Sequence, residues 1–341
     1  MYLSINSKKI LLRNFLKLLI KNGIIIYIIF LRKYIYNLKI KYLNNYNNFN
    51  HIHIAMSLDN NYIYPILVSV TSIIINAKNT TFIHFHLIID DEFKEKNKYK
   101  ISLLKNINKN ICFEYHNVKK NFLGWKIDRG DLPIISYYRI LIPELIKEID
   151  KIIYLDGDTI TYDDLKEMYN LNMTNLLFKG LREYKDKDSI PFVNVTKYIC
   201  AGVMLMNLKL LRENNSFEKF KKYYNYLYEK KTSYNDQNII NTVFIDKIGF
   251  LPPKFGIFLI NEDHIKDYEK IKPIVYNRSE LIEANKKPVI RHIWGNITGK
   301  PWIINEYNNI KDEWNYYANK TGFYKEICKY YKNACINLNK Y

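Results

Sequence analysis

The sequence predicts an α/β fold, a mostly parallel sheet flanked by helices. Three observations predict it. Short apolar runs alternate with helix-period segments over residues 51–155. Acidic residues stand just after three of those runs, at Asp59, Asp90 and Asp156. Gly and Pro number only 11 and 9, so the chain is neither linker-rich nor fibrous. Strands separated by helices imply crossover connections and a parallel sheet covered on both faces.

The elements follow in order. Ile52-His53-Ile54-Ala55-Met56 reads as a buried strand. Pro65 to Asn76 carries a helical period. Phe82 to Ile89 is a second strand in which His84 and His86 alternate with apolar residues, and it ends at Asp90-Asp91. Lys94 to Asn108 reads as a helix and Ile111 to Tyr115 as a third strand. Ile152 to Leu155 is a short apolar strand that runs directly into Asp156. Ligands of such sheets sit beyond the carboxyl ends of the strands, so Asp59, Asp90 and Asp156 are expected at one edge. No internal repeat is present.

The chain of 341 residues is long enough for one large domain or two modest ones, and its 48% hydrophobic content supports a core. The net charge of +18 favours phosphates, anionic lipids or nucleic acid, unless it reflects only a Lys-rich composition that water solvates. Cys112, Cys200, Cys328 and Cys335 have neither Cys-x-x-Cys nor zinc-finger spacing, so the expectation is a reducing compartment without a disulfide framework.

Residues 1–50 form a basic amphipathic segment and linker. Lys9, Arg13, Lys17 and Lys21 recur at helical spacing, with Leu11, Phe15, Leu18, Leu19 and Ile25 largely elsewhere on the wheel. The uninterrupted apolar run Ile24–Leu31 has eight residues, whereas a spanning helix needs about twenty. The two readings are a helix on an anionic membrane surface and a helix packed on the domain. Residues 51–305 then form the main domain. Residues 306–341 form a helical tail that mixes Phe323, Tyr324, Tyr330 and Tyr331 with Lys325, Lys329, Lys332 and Lys340. The chain is expected in the cytoplasm, with peripheral attachment to the inner face of the membrane as an accompanying option.

The chemistry centres on Tyr154-Leu155-Asp156-Gly157-Asp158-Thr159. Two carboxylates one residue apart, just past a buried strand, need a counter-charge. A divalent cation bridging them to a diphosphate supplies one. Gly157 would leave room for substrate against the backbone. An Asp-x-Asp phosphatase of the haloacid dehalogenase type is the rival reading. It calls for Thr or Val where Ile160 stands, and it opens its domain with the motif, whereas about a hundred residues of α/β pattern precede it here.

Further segments follow in order. Residues 53–62 give a strand and then Asp59, Asn61 and Tyr62. Residues 201–207, Ala-Gly-Val-Met-Leu-Met-Asn, are an apolar strand opened by a small pair. Asn235-Asp236-Gln237 precedes the helical Ile239-Ile240-Asn241. His292-Ile-Trp-Gly295 runs to Lys300-Pro301-Trp302. This series, over roughly residues 50 to 305, resembles glycosyltransferase family 8, which includes bacterial lipopolysaccharide galactosyl- and glucosyltransferases. The resemblance implies the GT-A nucleotide-sugar-binding fold, manganese (or magnesium) dependence, a donor such as UDP-glucose or UDP-galactose, and retention of anomeric configuration.

It also implies roles by position. Asp59 and Asn61 look like contacts to uracil and ribose, with Tyr62 near the base. Arg139 resembles the basic residue that faces the diphosphate and donor sugar. Asp156, Asp158 and His292 resemble the metal ligands, and imidazole is a suitable nitrogen donor. Gly295 and Lys300 resemble diphosphate contacts. Asp236 and Gln237 resemble the pair that holds the donor sugar, and Ala201 and Gly202 line its pocket. Two departures stand out. Cys200 occupies a place where the family often has Asn or Ser, and the stretch from Gly295 to Lys300 is long. The implied function is a retaining, metal-dependent transfer of a hexose from a UDP-sugar to a glycan or lipid-linked acceptor such as lipopolysaccharide. The alternative is a non-catalytic membrane- or polyanion-binding protein on the same scaffold. Nucleic acid is not an expected partner, because the basic residues are scattered and no binding module is recognisable.

Overall fold

The computed structural model describes residues 49–126, 133–183, 195, 197–232, 235–258, 262–270, 275–293, 299–303 and 309–331. The chain divides into two units at Phe49 and Asn50, and all described residues but Phe49 belong to the second. The basic N-terminal segment and Lys332, Cys335 and Lys340 of the tail lie outside the described residues.

Among the described residues, seven strands form the main sheet, in the order β3-β2-β1-β4-β7-β6-β8. They are β1 (Asn50–Ser57), β2 (Thr81–Ile89), β3 (Ile111–Asn117), β4 (Lys151–Leu155), β6 (Phe178–Arg182), β7 (Ile199–Asn207) and β8 (Ile248–Phe250). The pairs β1–β2, β2–β3, β1–β4 and β6–β8 are parallel. Only β7 runs against its neighbours, β4 and β6. The sheet is therefore mostly parallel, as the alternation of elements predicts. A second, three-stranded sheet, β5-β10-β9, is built from β5 (Thr159–Thr161), β10 (Ile290–His292) and β9 (Phe255–Ile257). Three-residue strands are too short to carry a period, so the sequence reading passes over this sheet.

Helix α1 (Ile63–Asn76) starts where the Asp59 carboxylate accepts hydrogen bonds from the backbone N–H groups of Asn61 and Tyr62. Pro65 sits in the first turn, where a missing N–H costs nothing. The helix lays Ile66, Leu67, Val70 and Ile73 on Ile52, Ile54 and Met56 of β1 and on Ile83, Phe85 and Leu87 of β2. Truncating one such residue to Ala would cost about 2–5 kcal/mol. The predicted helix from Lys94 is α2 (Glu95–Leu103), and it tightens into a 3₁₀ turn at Leu104–Asn106.

Because side chains alternate across a strand, the partners of those apolar residues fall on the opposite face. There His51 and His53 of β1 meet His84 and His86 of β2. His53 is buried, and burial together with the neighbouring His51 pulls its pKa down to about 3, so it is neutral.

The later helices are α3 (Ile142–Leu145), α4 (Lys166–Tyr169), α5 (Leu208–Glu213), α6 (Ser216–Glu229), α7 (Asp236–Val243), α8 (Glu262–Lys270), α9 (Arg278–Lys286), α10 (Asn309–Lys320) and α11 (Tyr324–Tyr330). Trp314 of α10 and Ile327 of α11 share a core with Trp302, Ile293, Ile160 and Val68. Cys112 and Cys200 are free thiols, whereas Cys328 of α11 is disulfide-bonded, a bond the cysteine spacing does not foretell. Among the described residues no helix is long and apolar enough to cross a membrane.

β1, β2 and β4 are parallel, so Asp59, Asp90 and Asp156 follow strand ends at the same edge of the sheet. Tyr138 donates to Asp90 at 3.0 Å, and the charges of both Asp90 and Asp59 raise its pKa on top of the effect of burial.

Candidate active site

Strand β4 is buried from Ile152 to Leu155 and delivers the acidic turn to the sheet edge. The Asp156 N–H donates to the Gly202 carbonyl at 2.8 Å, so the turn begins on β7 of the main sheet. The Asp158 carbonyl accepts from the Ile293 N–H at 2.8 Å, and Thr159 pairs with His292 in the small sheet. Residues 156–158 thus bridge the two sheets. The bridging brings carboxylate oxygens of Asp156 and Asp158 and a ring nitrogen of His292 within 4.8 Å of one another. His292 Nε2 is 3.1 Å from Asp158 Oδ1 and 4.0 Å from Asp156 Oδ2.

Gly202 floors this trio. A Cβ built there would stand 2.3 Å from His292 Cε1 and 2.8 Å from Asp156 Oδ2. Gly157 behaves differently from its expected role. Its added Cβ would meet the Ile66 side chain at 2.5 Å and Tyr62 at 3.1 Å, so its space belongs to packing against α1, not to a substrate.

The charges are balanced by protein groups. Lys300 contacts Asp158 Oδ2 and donates to the Ile293 carbonyl at 2.8 Å. Arg139 is buried. Its guanidinium sits 3.0 Å from Asp156 Oδ1 and 2.9 Å from Asp236 Oδ2, donates to the Ala201 carbonyl at 2.5 Å, and lies over the Tyr154 ring. Tyr154 in turn donates to Asp156 Oδ1 at 2.9 Å. Burial pushes the Asp158 carboxyl up, but Lys300 and His292 override it and hold the group below the usual carboxylate range. Burial pulls His292 down, and Asp158 with Cys200 reverses this, keeping the imidazole protonated well above its ordinary range. Asp236 is raised by burial even with Arg139 opposing.

Three cations, the Arg139 guanidinium, the Lys300 ammonium and the His292 imidazolium, thus face the carboxylates of Asp156, Asp158 and Asp236. The O, O, N donor set of Asp156, Asp158 and His292 suits a divalent cation.

Asp236 opens helix α7, whose cap is Asn235: its side chain accepts from the Asn238 N–H. Gln237 follows, with both ends of its amide engaged. Its Oε1 accepts from the Ala201 N–H at 2.9 Å, and its Nε2 donates to Glu183 Oε2 at 3.0 Å and to the Tyr198 hydroxyl at 3.1 Å. Glu183 and Tyr198 are buried residues that sequence reasoning missed. The available signal is position: Glu183 directly follows β6, Tyr198 directly precedes β7, and the Glu183 N–H donates to the Tyr198 carbonyl at 3.0 Å. Cys200 Sγ lies 3.5 Å from His292 Nδ1, so the thiol orients the imidazole, a contact the motif comparison does not suggest.

Tyr62 packs edge-on to Trp302, with ring centroids 5.6 Å apart, and its pKa is raised by burial and then by Asp158 and Asp156. Asp59 and the exposed Asn61 lie on the same loop. The structure thus assembles Asp156, Asp158, His292, Arg139, Asp236, Gln237, Ala201, Gly202 and Lys300 into one connected set, with Tyr62 at its border. Gly295 lies outside the described residues.

The chain is also similar to known proteins. The description "Glycosyl transferase family 8" matches residues 53–306. General stress protein A of Bacillus subtilis is 24% identical over 276 residues, 79% of this chain and 94% of that protein. Lipopolysaccharide 1,2-glucosyltransferase of Escherichia coli is 26% identical over 288 residues, 75% of this chain and 77% of that protein. Among solved structures, the galactosyltransferase LgtC in complex with donor and acceptor sugar analogs superposes with a TM-score of 0.63 at 22% identity, covering 79% of this chain and 96% of LgtC.

Proposed function

This chain belongs to glycosyltransferase family 8, and from that premise we propose that it is a retaining, metal-dependent hexosyltransferase that draws on a UDP-sugar. The observation that carries the finer reading is the convergence of Asp156, Asp158 and His292, two of which pack directly on Gly202. Family membership as a glycosyltransferase sets aside the non-catalytic alternative.

Asp156, Asp158 and His292 would hold the divalent cation, manganese or magnesium. When bound, that ion supplies charge stabilisation for a departing diphosphate, worth several kcal/mol. Lys300 and Arg139 add fixed positive charge at the same edge, and both already face the carboxylates. Asp59 and Asn61, on the loop after β1, are assigned to uracil and ribose, with Tyr62 beside the base. Gly295 would face the diphosphate with Lys300. Ala201 and Gly202 would line the sugar pocket. Asp236 is neutralised by Arg139, and Gln237 is an amide fixed at both ends. Neither is a ready nucleophile. The acceptor hydroxyl therefore attacks on the same face as the leaving group, and the departing phosphate oxygen takes its proton.

The acceptor is proposed as a glycan or lipid-linked glycan such as lipopolysaccharide. Supporting this is the likeness to the E. coli lipopolysaccharide glucosyltransferase. The exposed Lys325, Lys329 and Tyr330 of α11 suit an anionic surface, consistent with a peripheral position at the membrane. In this reading residues 51–305 carry catalysis, and the flanking basic segments bring the chain to its acceptor.

The test is UDP release from UDP-glucose and UDP-galactose, with and without manganese, by the wild type and by Asp158→Asn. Metal-dependent release that the variant lacks supports the reading, and the faster donor identifies the sugar. No release, together with no metal-dependent UDP binding by calorimetry, would overturn it.

A further inference from the structure

Five of the seven histidines lie away from the site just described, on the strands β1, β2 and β3. They form two rows across the sheet. In one, His51 Nδ1 is 3.0 Å from His84 Nε2, and His84 Nδ1 is 3.2 Å from Cys112 Sγ. In the other, His53 Nδ1 is 3.0 Å from His86 Nε2, and His86 Nδ1 is 3.0 Å from His116 Nε2. The second row gains a carboxylate, because Glu114 sits opposite His86 in the strand register, with its Oε2 3.7 Å from His86 Nδ1.

We propose that His86, Glu114 and His116 form a second metal site, for a borderline divalent transition metal of the zinc type, which clips the edge strand β3 to β2. Three observations support it. One ligand atom from each residue lies within 4.8 Å of the other two. With metal–ligand bonds of about 2.05 Å, the edge of a tetrahedral site is about 3.3 Å, and the separations of 3.0 and 3.7 Å bracket that value. Glu114 and His116 are two residues apart on one strand, so both project to the face where His86 stands.

The arrangement behind the ligands also fits. A metal-bound imidazole is ordinarily oriented by a hydrogen bond from its other nitrogen, and His86 Nε2 faces His53 Nδ1. His86 is 1% exposed and its ring stacks on that of His116 with centroids 5.2 Å apart, so two of the three ligands are held in place by packing. The two nitrogen donors distinguish this site from the oxygen-rich trio at Asp156. Imidazole pairs favour copper, zinc and nickel, whereas carboxylate-rich sites suit manganese and magnesium. A metal here would replace the proton shared between His86 and His116 and add a coordinate link to the backbone ladder and the side-chain contacts, such as the Phe85–Phe113 stack, that already join β2 to β3.

The experiment uses the full, tag-free chain, stripped of metal by chelator. Asp158→Asn removes one ligand of the other trio, and zinc binding is measured by competition with a chromophoric chelator. The Asp158→Asn protein is expected to bind one equivalent of zinc and to unfold at a higher temperature when it is present. Adding Glu114→Gln or His116→Gln, both at partly exposed positions, is expected to weaken zinc binding at least tenfold and to abolish the thermal shift. Circular dichroism of the metal-free variants checks that they fold. If Asp158→Asn binds no zinc, or if both added substitutions leave its affinity unchanged, the site does not exist.

Discussion

Gly202→Ala puts the assembled site to its most direct test. The added Cβ would stand 2.3 Å from His292 Cε1, 2.7 Å from its Nε2 and 2.8 Å from Asp156 Oδ2. Non-bonded carbons settle at about 3.5 Å or more, so the imidazole has to retreat by about 1.2 Å. It cannot do so freely, being buried against Phe258 and held by Asp158 and Cys200. Overpacking of this kind costs about 1–3 kcal/mol, which in a domain this size lowers the melting temperature by at most about 6 °C. The protein therefore still folds. A displacement of about 1 Å in a positioned group costs about 100-fold in rate. The assay is UDP release from the preferred donor, with manganese titrated at fixed donor. Expected are a kcat/KM about 100-fold down and a manganese midpoint raised at least tenfold, with the far-ultraviolet circular dichroism unchanged. Activity within threefold of wild type, at an unchanged manganese midpoint, would show that the trio over Gly202 is not the metal centre.

Other substitutions probe the neighbouring contacts. Arg139→Lys keeps the charge but loses the fork that spans Asp156, Asp236 and the Ala201 carbonyl. It should lower kcat about 10- to 100-fold, read in the same UDP assay. Gln237→Glu places a second carboxylate where Nε2 stands 3.0 Å from Glu183 Oε2. Two such groups cannot both ionise, so the variant's pH–rate profile should fall at a pH where the wild type is flat. The histidine face predicts acid sensitivity of the fold. His53 titrates near 3 when folded and near 6.5 when unfolded, so the unfolded chain binds more protons between those values, and stability falls as pH drops through that window. From pH 7 to pH 5 this one residue accounts for about 2 kcal/mol. Urea denaturation of metal-free protein should show the loss, and His53→Phe should reduce it.

The legible parts of the molecule were those with a period or a motif. The alternation around Ile52–Met56 and Phe82–Ile89 gives β1 and β2 with their helices, because the aliphatic face packed on α1 recurs at every second residue while histidines mark the other buried face. Asp156 and Asp158 were legible because two charges just past a buried strand need an explanation. Glu183 and Tyr198 were not, because what makes them matter is contact with Gln237, 54 and 39 residues away. The reversed direction of β7 leaves no trace in its composition, since a buried strand reads the same both ways. Gly157 misled for a related reason: a glycine announces missing volume but does not say which neighbour fills it. The histidines of β1–β3 are scattered along the sequence, and only the strand register turns them into two rows.

The three residues 156–158 join a strand of one sheet to a strand of the other, and each candidate ligand is anchored by backbone pairing to a distant stretch of chain. His292 meets Asp158 across 134 residues of sequence. Closing a loop of that length is slow compared with forming a helix or a hairpin. On the ribosome, then, the emerging polypeptide has no such centre until β10 is out and paired with β5. Anything that grips the trio must bind the finished protein far more tightly than any partial one. Donor and metal should therefore act as folding ligands, raising the protection of amides in both sheets together.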